Sequence, residues 1–319
     1  MIQWPKFLWG WLALQIVAAG VLWASAVVAS EAVASEAVDS SQQLAEDTRP
    51  LIRIGITPWQ KSQSVDEMRE QYRPLLAWLG DQIGYHLMIV GGRSYEDTIE
   101  LIADGSVQLA VLSPVPYAQA KRKNPALELI GTELKWNESR TALTDSYRGF
   151  IISRKDRADI VTIADLKGKQ LGFVNEESTS GWRYPNALLL TAGIDVRRMA
   201  TVYFLGSHPR VTDALVAGSI DAGATWDYNL AEAVRKHGDA FKVILRTPPI
   251  PNICLVAHAS LPPALCARIR TLLTTAPAER FAKTPMQGYV ERPDSFYDVV
   301  RTLIDSDAIL TGNVPGSAP

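Results

Sequence analysis

Cysteine and histidine are scarce in this chain, with two Cys and four His among 319 residues. The histidines, His86, His208, His237 and His258, form no paired motif with a nucleophile or with one another, so neither a catalytic set nor a metal cluster is apparent. Cys254 and Cys266, even with His258 nearby, lack metal-ligand spacing. Cys254 falls in a strand-like run (Ile253 to Ala257) and Cys266 in a helix-like one (Leu265 to Leu273), so buried free thiols are expected, although an exported chain would permit a disulfide. An excess of one charge is also missing. Lys and Arg number 32 against 34 Asp and Glu, a net charge of −2, which leaves no electrostatic footprint for nucleic acid. No internal repeat is visible, and low-complexity sequence is confined to one stretch near the N-terminus.

One long apolar run stands out at the N-terminus. Lys6 is the sole charge before it, Phe7 to Trp23 is nearly continuous apolar sequence, and Ala24-Ser25-Ala26 and Val27-Val28-Ala29 supply small residues for cleavage. This is a secretory signal pattern, and residues 1–29 are expected to be removed on export to the periplasm. The competing reading is an uncleaved anchor. A lipoprotein is disfavoured because no Cys lies near the end of the run. Residues 30–49 are small and polar and read as a flexible leader.

From residue 51 onward the pattern is α/β. Strands are predicted at Leu51 to Ile56, His86 to Val90 and Val107 to Leu112, alternating with helices at Val65 to Ile83, Ser94 to Ala103 and Pro116 to Lys123. This βαβαβα rhythm argues for a mostly parallel sheet. Ligands of such sheets sit beyond the carboxyl ends of strands, which singles out the loops 57–64, 91–95 and 113–117. Further strands are predicted at Leu127 to Glu133 and Tyr147 to Ser153. The rhythm then restarts with Lys169 to Val174, Asn186 to Ala192, Thr201 to Leu205, Arg210 to Ala217, Ile220 to Thr225 and Asn229 to Lys236. Phe241 to Arg246, a proline-rich crossing through Thr247 to Asn252, Ile253 to Ala257 and a helix from Pro262 to Thr274 follow. A last helix lies behind Tyr289 and Arg292-Pro293. Two α/β lobes without an obvious nucleophile suggest a cleft that closes on a small ligand.

The chemistry concentrates at Ser178-Thr179-Ser180-Gly181, where a buried strand hands over to a helix bearing Pro185 in its first turn. Three hydroxyls and several free amides at the positive end of a helix dipole bind an anion without Lys or Arg. A plain N-cap is the competing reading, though three consecutive hydroxyl residues exceed what one cap needs.

Ser178 to Gly181 with Pro185, then Gly206-Ser207-His208 leading into a helix, then Ala217 to Ala222, resemble the phosphate, phosphite and phosphonate substrate-binding proteins of ABC transporters. The similarity spans about residues 51–305, including Tyr95, the Tyr147 strand, Gly288-Tyr289 and Tyr297, Asp298 and Arg301. It implies a two-lobed periplasmic-binding-protein fold of type II-like topology, two α/β domains joined by a double crossing. Lobe one would be 50–147 with 252–305, lobe two 148–251, and 306–319 a tail. It implies an oxyanion held by Ser178, Thr179 and Ser180, with Tyr95 and Tyr147 opposite and His208 at the anion. Tyr228 and Asn252 fall where some relatives place carboxylates that hold an amino group. Both are neutral here, which favours an anion without an ammonium.

Glu176 and Glu177 must point away from such a pocket, or they would repel the ligand. Trp136, Trp182 and Trp226 leave room for a larger organic ligand, although buried packing is the commoner fate of Trp. The resulting expectation is a monomeric binding protein, not an enzyme, without cofactor or metal, that delivers a small anion to an inner-membrane ABC permease. A sensor working through a membrane receptor, and an enzyme on the same fold, are the alternatives.

Overall fold

The computed structural model describes residues 48–57, 65–137 and 140–311. The signal-peptide reading, nearly all of the leader, the loop 58–64 and the tail beyond 311 lie outside these residues.

The first part of the chain alternates strands and helices: β1 (Leu51–Ile56), α1 (Val65–Ile83), β2 (His86–Gly91), α2 (Tyr95–Ala103), β3 (Leu109–Leu112) and α3 (Pro114–Lys123). β4 (Glu128–Trp136), β5 (Leu143–Thr144) and β6 (Ser146–Tyr147) follow. A second series holds β7 (Gly149–Arg154), β8 (Gln170–Phe173), α4 (Tyr184–Thr191), α5 (Val196–Met199), β9 (Thr201–Phe204), α6 (His208–Val216), β10 (Ala222–Trp226), α7 (Asp227–His237) and β11 (Phe241–Arg246). The chain ends with β12 (Ile250–Pro251), β13 (Cys254–Ala257), α8 (Pro263–Thr275), β14 (Gly288–Val290) and α9 (Asp298–Thr311).

Two sheets result. The larger has the order β14-β4-β13-β3-β1-β2, with β5 paired to β4, and the smaller β11-β7-β10-β8-β9. The expectation of mostly parallel sheets needs correction. β1–β2, β1–β3, β8–β9 and β8–β10 are parallel. β13 runs antiparallel to β3 and β4, and β7 antiparallel to β10 and β11. Hydrophobic periodicity reports which faces are buried and carries no strand direction. The antiparallel members border the two crossings between the sheets, where the chain leaves one sheet and re-enters the other. Those crossings pair with each other: β6 and β12 form a two-stranded ribbon with Ile250 opposite Tyr147 and Pro251 opposite Ser146.

Side-chain alternation assigns each face of the large sheet to its own core. Leu109 and Val111 of β3, with Leu255 and Ala257 of β13, pack beside Met68, Tyr72, Leu75 and Leu79 of α1 and Ile269 and Leu273 of α8. Ala110, Leu112, Cys254 and Val256 point the other way, toward Ile99 and Ile102 of α2, Tyr117 and Ala120 of α3, and Tyr297. The small sheet repeats the pattern, with Ile151, Leu171, Phe173, Ala222 and Ala224 on one face and Phe150, Ile152 and helix residues Val211 and Leu215 on the other. A smaller apolar cluster joins elements of both sheet systems: Val115 and Ala118 of α3, Tyr147 and Ile250 of the ribbon, Tyr184 of α4, and Val300 and Ile304 of α9.

β4 runs three residues beyond the expected Glu133, to Trp136, because it has partners there: Leu134 pairs with Gly288 of β14 and Trp136 with Leu143 of β5. Helix α9 likewise continues past 305, to Thr311. Both cysteines are buried and free. Burial pushes the Cys254 thiol well above its usual range and raises Cys266 to about 11. The thiolate is the reactive form. A thiol reagent at neutral pH is therefore expected to label neither Cys254 nor Cys266 in the folded protein and both after denaturation, as read by mass spectrometry.

Candidate functional site

The parallel strands β8, β9 and β10 deliver their carboxyl ends to one place. After β8, Val174 leads into a polar turn whose helix starts earlier than the expected Asn186. A single π turn, Thr179–Arg183, precedes α4. The Ser178 carbonyl accepts the N–H groups of both Trp182 and Arg183, and the Ser178 hydroxyl accepts the Gly181 N–H at 3.1 Å. Ser178 is thus an N-cap as well as a cavity residue. The amides of Thr179 and Ser180 head this turn, where a helix has no carbonyl to offer them, and neither is bonded within the described chain. Gly181 is required for the approach. A Cβ there would lie 2.5 Å from Val174 Cγ2 and 2.6 Å from Ser178 Oγ.

The end of β9 lies beside that turn because β8 and β9 pair in parallel with Phe173 opposite Phe204. Gly206 takes a left-handed φ of +81°, its N–H bonds to the Val174 carbonyl, and Ser207 then starts α6 with His208 as its first residue. Such a φ suits glycine, which has no Cβ to clash. His208 is buried and its Nδ1 has no partner in the described chain. Burial alone pulls its pKa down to about 3, so the imidazole is neutral. Trp226 closes β10, its ring 5.6 Å from that of Tyr147 and 6.1 Å from that of His208.

The large sheet supplies the opposite wall from the ends of its own parallel strands. Thr57 follows β1, Tyr95 opens α2 after β2, and Ser113 follows β3. Ser94 caps α2 by accepting the Asp97 N–H at 3.1 Å. Helix α3 begins Pro114-Val115-Pro116. The prolines have no N–H, and the Val115 N–H is donated to the Thr179 hydroxyl oxygen at 3.0 Å. Burial raises the pKa of Tyr95, with the Ser178 hydroxyl beside it as an opposing influence. Burial likewise drives the Tyr147 phenol up, against the Ser180 hydroxyl beside it.

These residues enclose a cavity of about 50 Å³ lined by Thr57, Tyr95, Ser113, Lys135, Tyr147, Ser178, Thr179, Ser180, His208, Trp226 and Asn252 with a few apolar neighbours. A water position needs roughly 10–15 Å³ on this measure, so the space suits a group of a few heavy atoms. Of the eight residues singled out from the sequence, Tyr95, Tyr147, Ser178, Thr179, Ser180, His208 and Asn252 meet at this cavity. Tyr228 does not. It is 37% exposed and lines an adjoining groove of about 280 Å³ with Trp136 and Arg140. Asn252 is at the crossing: its Nδ2 donates to the Glu133 and Thr144 carbonyls, while Oδ1 is buried without a partner.

Lys135 is the cavity residue that the sequence reading missed. It sits on the unforeseen extension of β4, its Nζ 3.0 Å from Glu133 Oε2 and 4.8 Å from the centre of the Trp226 ring. Two opposite charges two residues apart share one face of a strand, and in a strand this buried they are an available signal. The paired acidic residues before the turn leave the cavity uncrowded. Glu177 bonds Arg183 at 2.7 Å and also pairs with Gln119, and Glu176 pairs with Arg197 at 2.7 Å. Of the three tryptophans considered, Trp182 is a core residue against Phe173 and Phe204, Trp136 is half exposed in the adjoining groove, and Trp226 lines the cavity. Among the described residues no group of three or more His, Cys, Asp or Glu could hold a metal ion, and no helix is long and apolar enough to cross a membrane.

A neutral buried His208 has a stability consequence. Its folded pKa lies below the ordinary 6.5, so the stability it confers is present above pH 6.5 and is lost as pH falls toward 3. Between pH 7 and pH 5 this amounts to about 2 kcal/mol. Without ligand, denaturant titrations at the two pH values are expected to show His208→Gln losing less stability than the parent by about that amount.

A family model for the phosphonate periplasmic substrate-binding protein of ABC transporters matches residues 54–292. The Phosphate-import protein PhnD of Mycolicibacterium smegmatis is 25% identical over 286 residues, covering 82% of this chain and 87% of that protein. The fold is shared with the binding-protein component of an ABC phosphonate transporter from Pseudomonas aeruginosa, with TM-score 0.68, 18% identity, and coverage of 84% of this chain and 91% of that one. It is shared equally with PhnD1 from Prochlorococcus marinus in complex with methylphosphonate, with TM-score 0.68, 15% identity, and coverage of 83% and 99%. Set on a two-sheet fold with a double crossing, the match over most of the chain decides the family: this chain belongs to the phosphonate periplasmic substrate-binding proteins of ABC transporters.

Proposed function

We propose that this protein captures a small phosphorus oxyanion, a phosphonate, phosphite or phosphate, in the periplasm and presents it to the inner-membrane permease of an ABC importer, with no chemistry of its own. The observation that carries this reading is the state of the hydroxyls at the turn. A hydroxyl has one donor and two acceptor positions. Ser178 and Thr179 already accept chain N–H groups from Gly181 and Val115. The Thr179 O–H is left to donate, together with the amides of Thr179 and Ser180, while the Ser178 hydroxyl lies against the Tyr95 phenol. No carboxylate lines the cavity among the described residues. A site rich in donors and free of carboxylates, with about 50 Å³ of space, favours a compact oxyanion over a large aromatic solute.

In this reading Ser178, Thr179 and Ser180 grip the anion, Tyr95, Tyr147 and His208 contact it from the facing walls, and Asn252 borders it. Tyr228 stands outside the direct contacts of so small a ligand. Lobe one comprises 50–147 with 252–305 and lobe two 148–251, hinged near 147–150 and 250–253. The protein works as a monomer, exported by residues 1–29. What the relatives are named for supports the ligand class: phosphate import in one and bound methylphosphonate in another.

Hydrogen bonds to a charged acceptor contribute roughly 1.5–3 kcal/mol each. Ser178→Ala and Ser180→Ala are each expected to weaken binding about ten- to a hundredfold by calorimetry. Binding should survive in part, because the amides remain. Phosphate, phosphite or methylphosphonate should bind more tightly than 2-aminoethylphosphonate; the reverse order would refute the reading of Tyr228 and Asn252. If an organic acid bound and no phosphorus oxyanion did, the ligand assignment would fail. Small-angle scattering should show a smaller radius of gyration with a tight ligand than without, and an unchanged radius despite proven binding would count against hinge closure.

A further inference from the structure

We propose that Lys135 is the charge selector of this cavity, favouring a doubly ionised oxyanion and so admitting a phosphonate dianion over a sulfonate of the same shape. The inference rests on the oxyanion reading above and adds what distinguishes one tetrahedral anion from another. Hydroxyls and amides count acceptor oxygens and read geometry. A methylphosphonate dianion and a methanesulfonate each present three such oxygens on a tetrahedral centre with one methyl group, so the Ser178–Ser180 turn reads them alike. They differ in charge, which neutral donors register weakly and a fixed cation registers strongly.

Among the described residues lining the cavity, Lys135 is the sole Lys or Arg, and His208 is held neutral by burial. Its side chain is 9% exposed, so the ammonium is little screened by water. Glu133, two residues earlier on the same face of β4, has a side chain 1% exposed and does not line the cavity. The carboxylate is therefore set back from the ligand space. Burial raises the Glu133 pKa, and Lys135 beside it opposes that rise. An ammonium has three donors. It forms an ion pair with Glu133 Oε2 at 3.0 Å, and the Trp226 ring, 4.8 Å from Nζ, is a further wall of the same cavity. The ammonium is thereby held at the cavity wall by an ion pair with a carboxylate that does not line it. Asn252 Oδ1 and the ring nitrogen Nδ1 of neutral His208, both buried at this cavity without a partner among the described residues, are the competing features, since an acceptor there would suit a singly protonated oxyanion.

The test is calorimetry with methylphosphonate and methanesulfonate, at a pH above the second ionisation of the phosphonate. Removing Lys135 alone would strand a buried carboxylate. The main variant is therefore Glu133→Gln with Lys135→Met, which neutralises both positions. The parent is expected to bind methylphosphonate about ten- to a hundredfold more tightly than methanesulfonate. In the double variant the ratio should fall toward one, mostly through loss of methylphosphonate affinity. Glu133→Gln alone keeps the ammonium and removes its counter-charge, so the ratio should rise. That second variant decides the matter if the double variant does not fold.

Equal affinities in the parent, a ratio unchanged in the double variant, or a ratio that falls in Glu133→Gln would each overturn the role of Lys135. So would a parent that binds the singly protonated phosphonate more tightly at lower pH, which would assign the preference to Asn252 or His208. These results would leave the oxyanion reading standing. That reading fails separately, if the parent binds neither probe, nor phosphate nor phosphite, while binding a solute of another class.

Discussion

The hydrogen bond from the Val115 N–H to the Thr179 hydroxyl oxygen, 3.0 Å long, ties the two sheet systems together at the site. Its necessity follows from the sequence of α3. A helix start leaves its first N–H groups without carbonyl partners, and a buried one without a partner is costly. Pro114 and Pro116 remove two of those groups, and the Tyr117 N–H reaches the Ser113 carbonyl. Val115 is left with one donor to satisfy, and the turn after β8 satisfies it. The same bond fills an acceptor position of the Thr179 hydroxyl and so orients its proton. Around it, the apolar cluster of Val115, Ala118, Tyr147, Tyr184, Ile250, Val300 and Ile304 makes the contact continuous with the crossing ribbon.

Burial sets the electrostatics of the cavity. It keeps the Tyr95 and Tyr147 phenols protonated and the His208 imidazole neutral, so all three meet a ligand as uncharged groups at neutral pH. The charges nearby are arranged in pairs. Glu177 and Glu176 are drawn toward Arg183 and Arg197, and Glu133 is matched by Lys135. Pairing of this kind removes the repulsion that two consecutive carboxylates beside an oxyanion site would create. The Glu133–Lys135 pair differs from the other two in being buried, and one of its members reaches the cavity wall. Such a pair contributes little net stability, since desolvation offsets much of the attraction.

The sequence by itself determined the element rhythm and much of the site. The continuous apolar run Leu109 to Leu112 and the 3.6-residue spacing of Met68, Tyr72, Leu75 and Leu79 are properties of burial, which local sequence records directly. The hydroxyl-rich turn at Ser178 to Gly181 was legible for a similar reason: strand, polar turn and Pro185 are contiguous, and a helix start has fixed chemical needs. Tertiary structure decided what depends on contacts distant in sequence. Strand direction was one such matter, because periodicity is the same for parallel and antiparallel neighbours. The extension of β4 was another, since the pairing of Leu134 with Gly288 joins residues 154 positions apart. With that extension came the placement of Lys135 at the cavity, while Tyr228, the second residue of α7, was carried into the adjoining groove. Whether Ser178 served as a cap or as a cavity residue was likewise undecidable locally. It does both, because one hydroxyl can accept a bond from its own helix and still face the wall that Tyr95 and Thr57 bring from the other sheet.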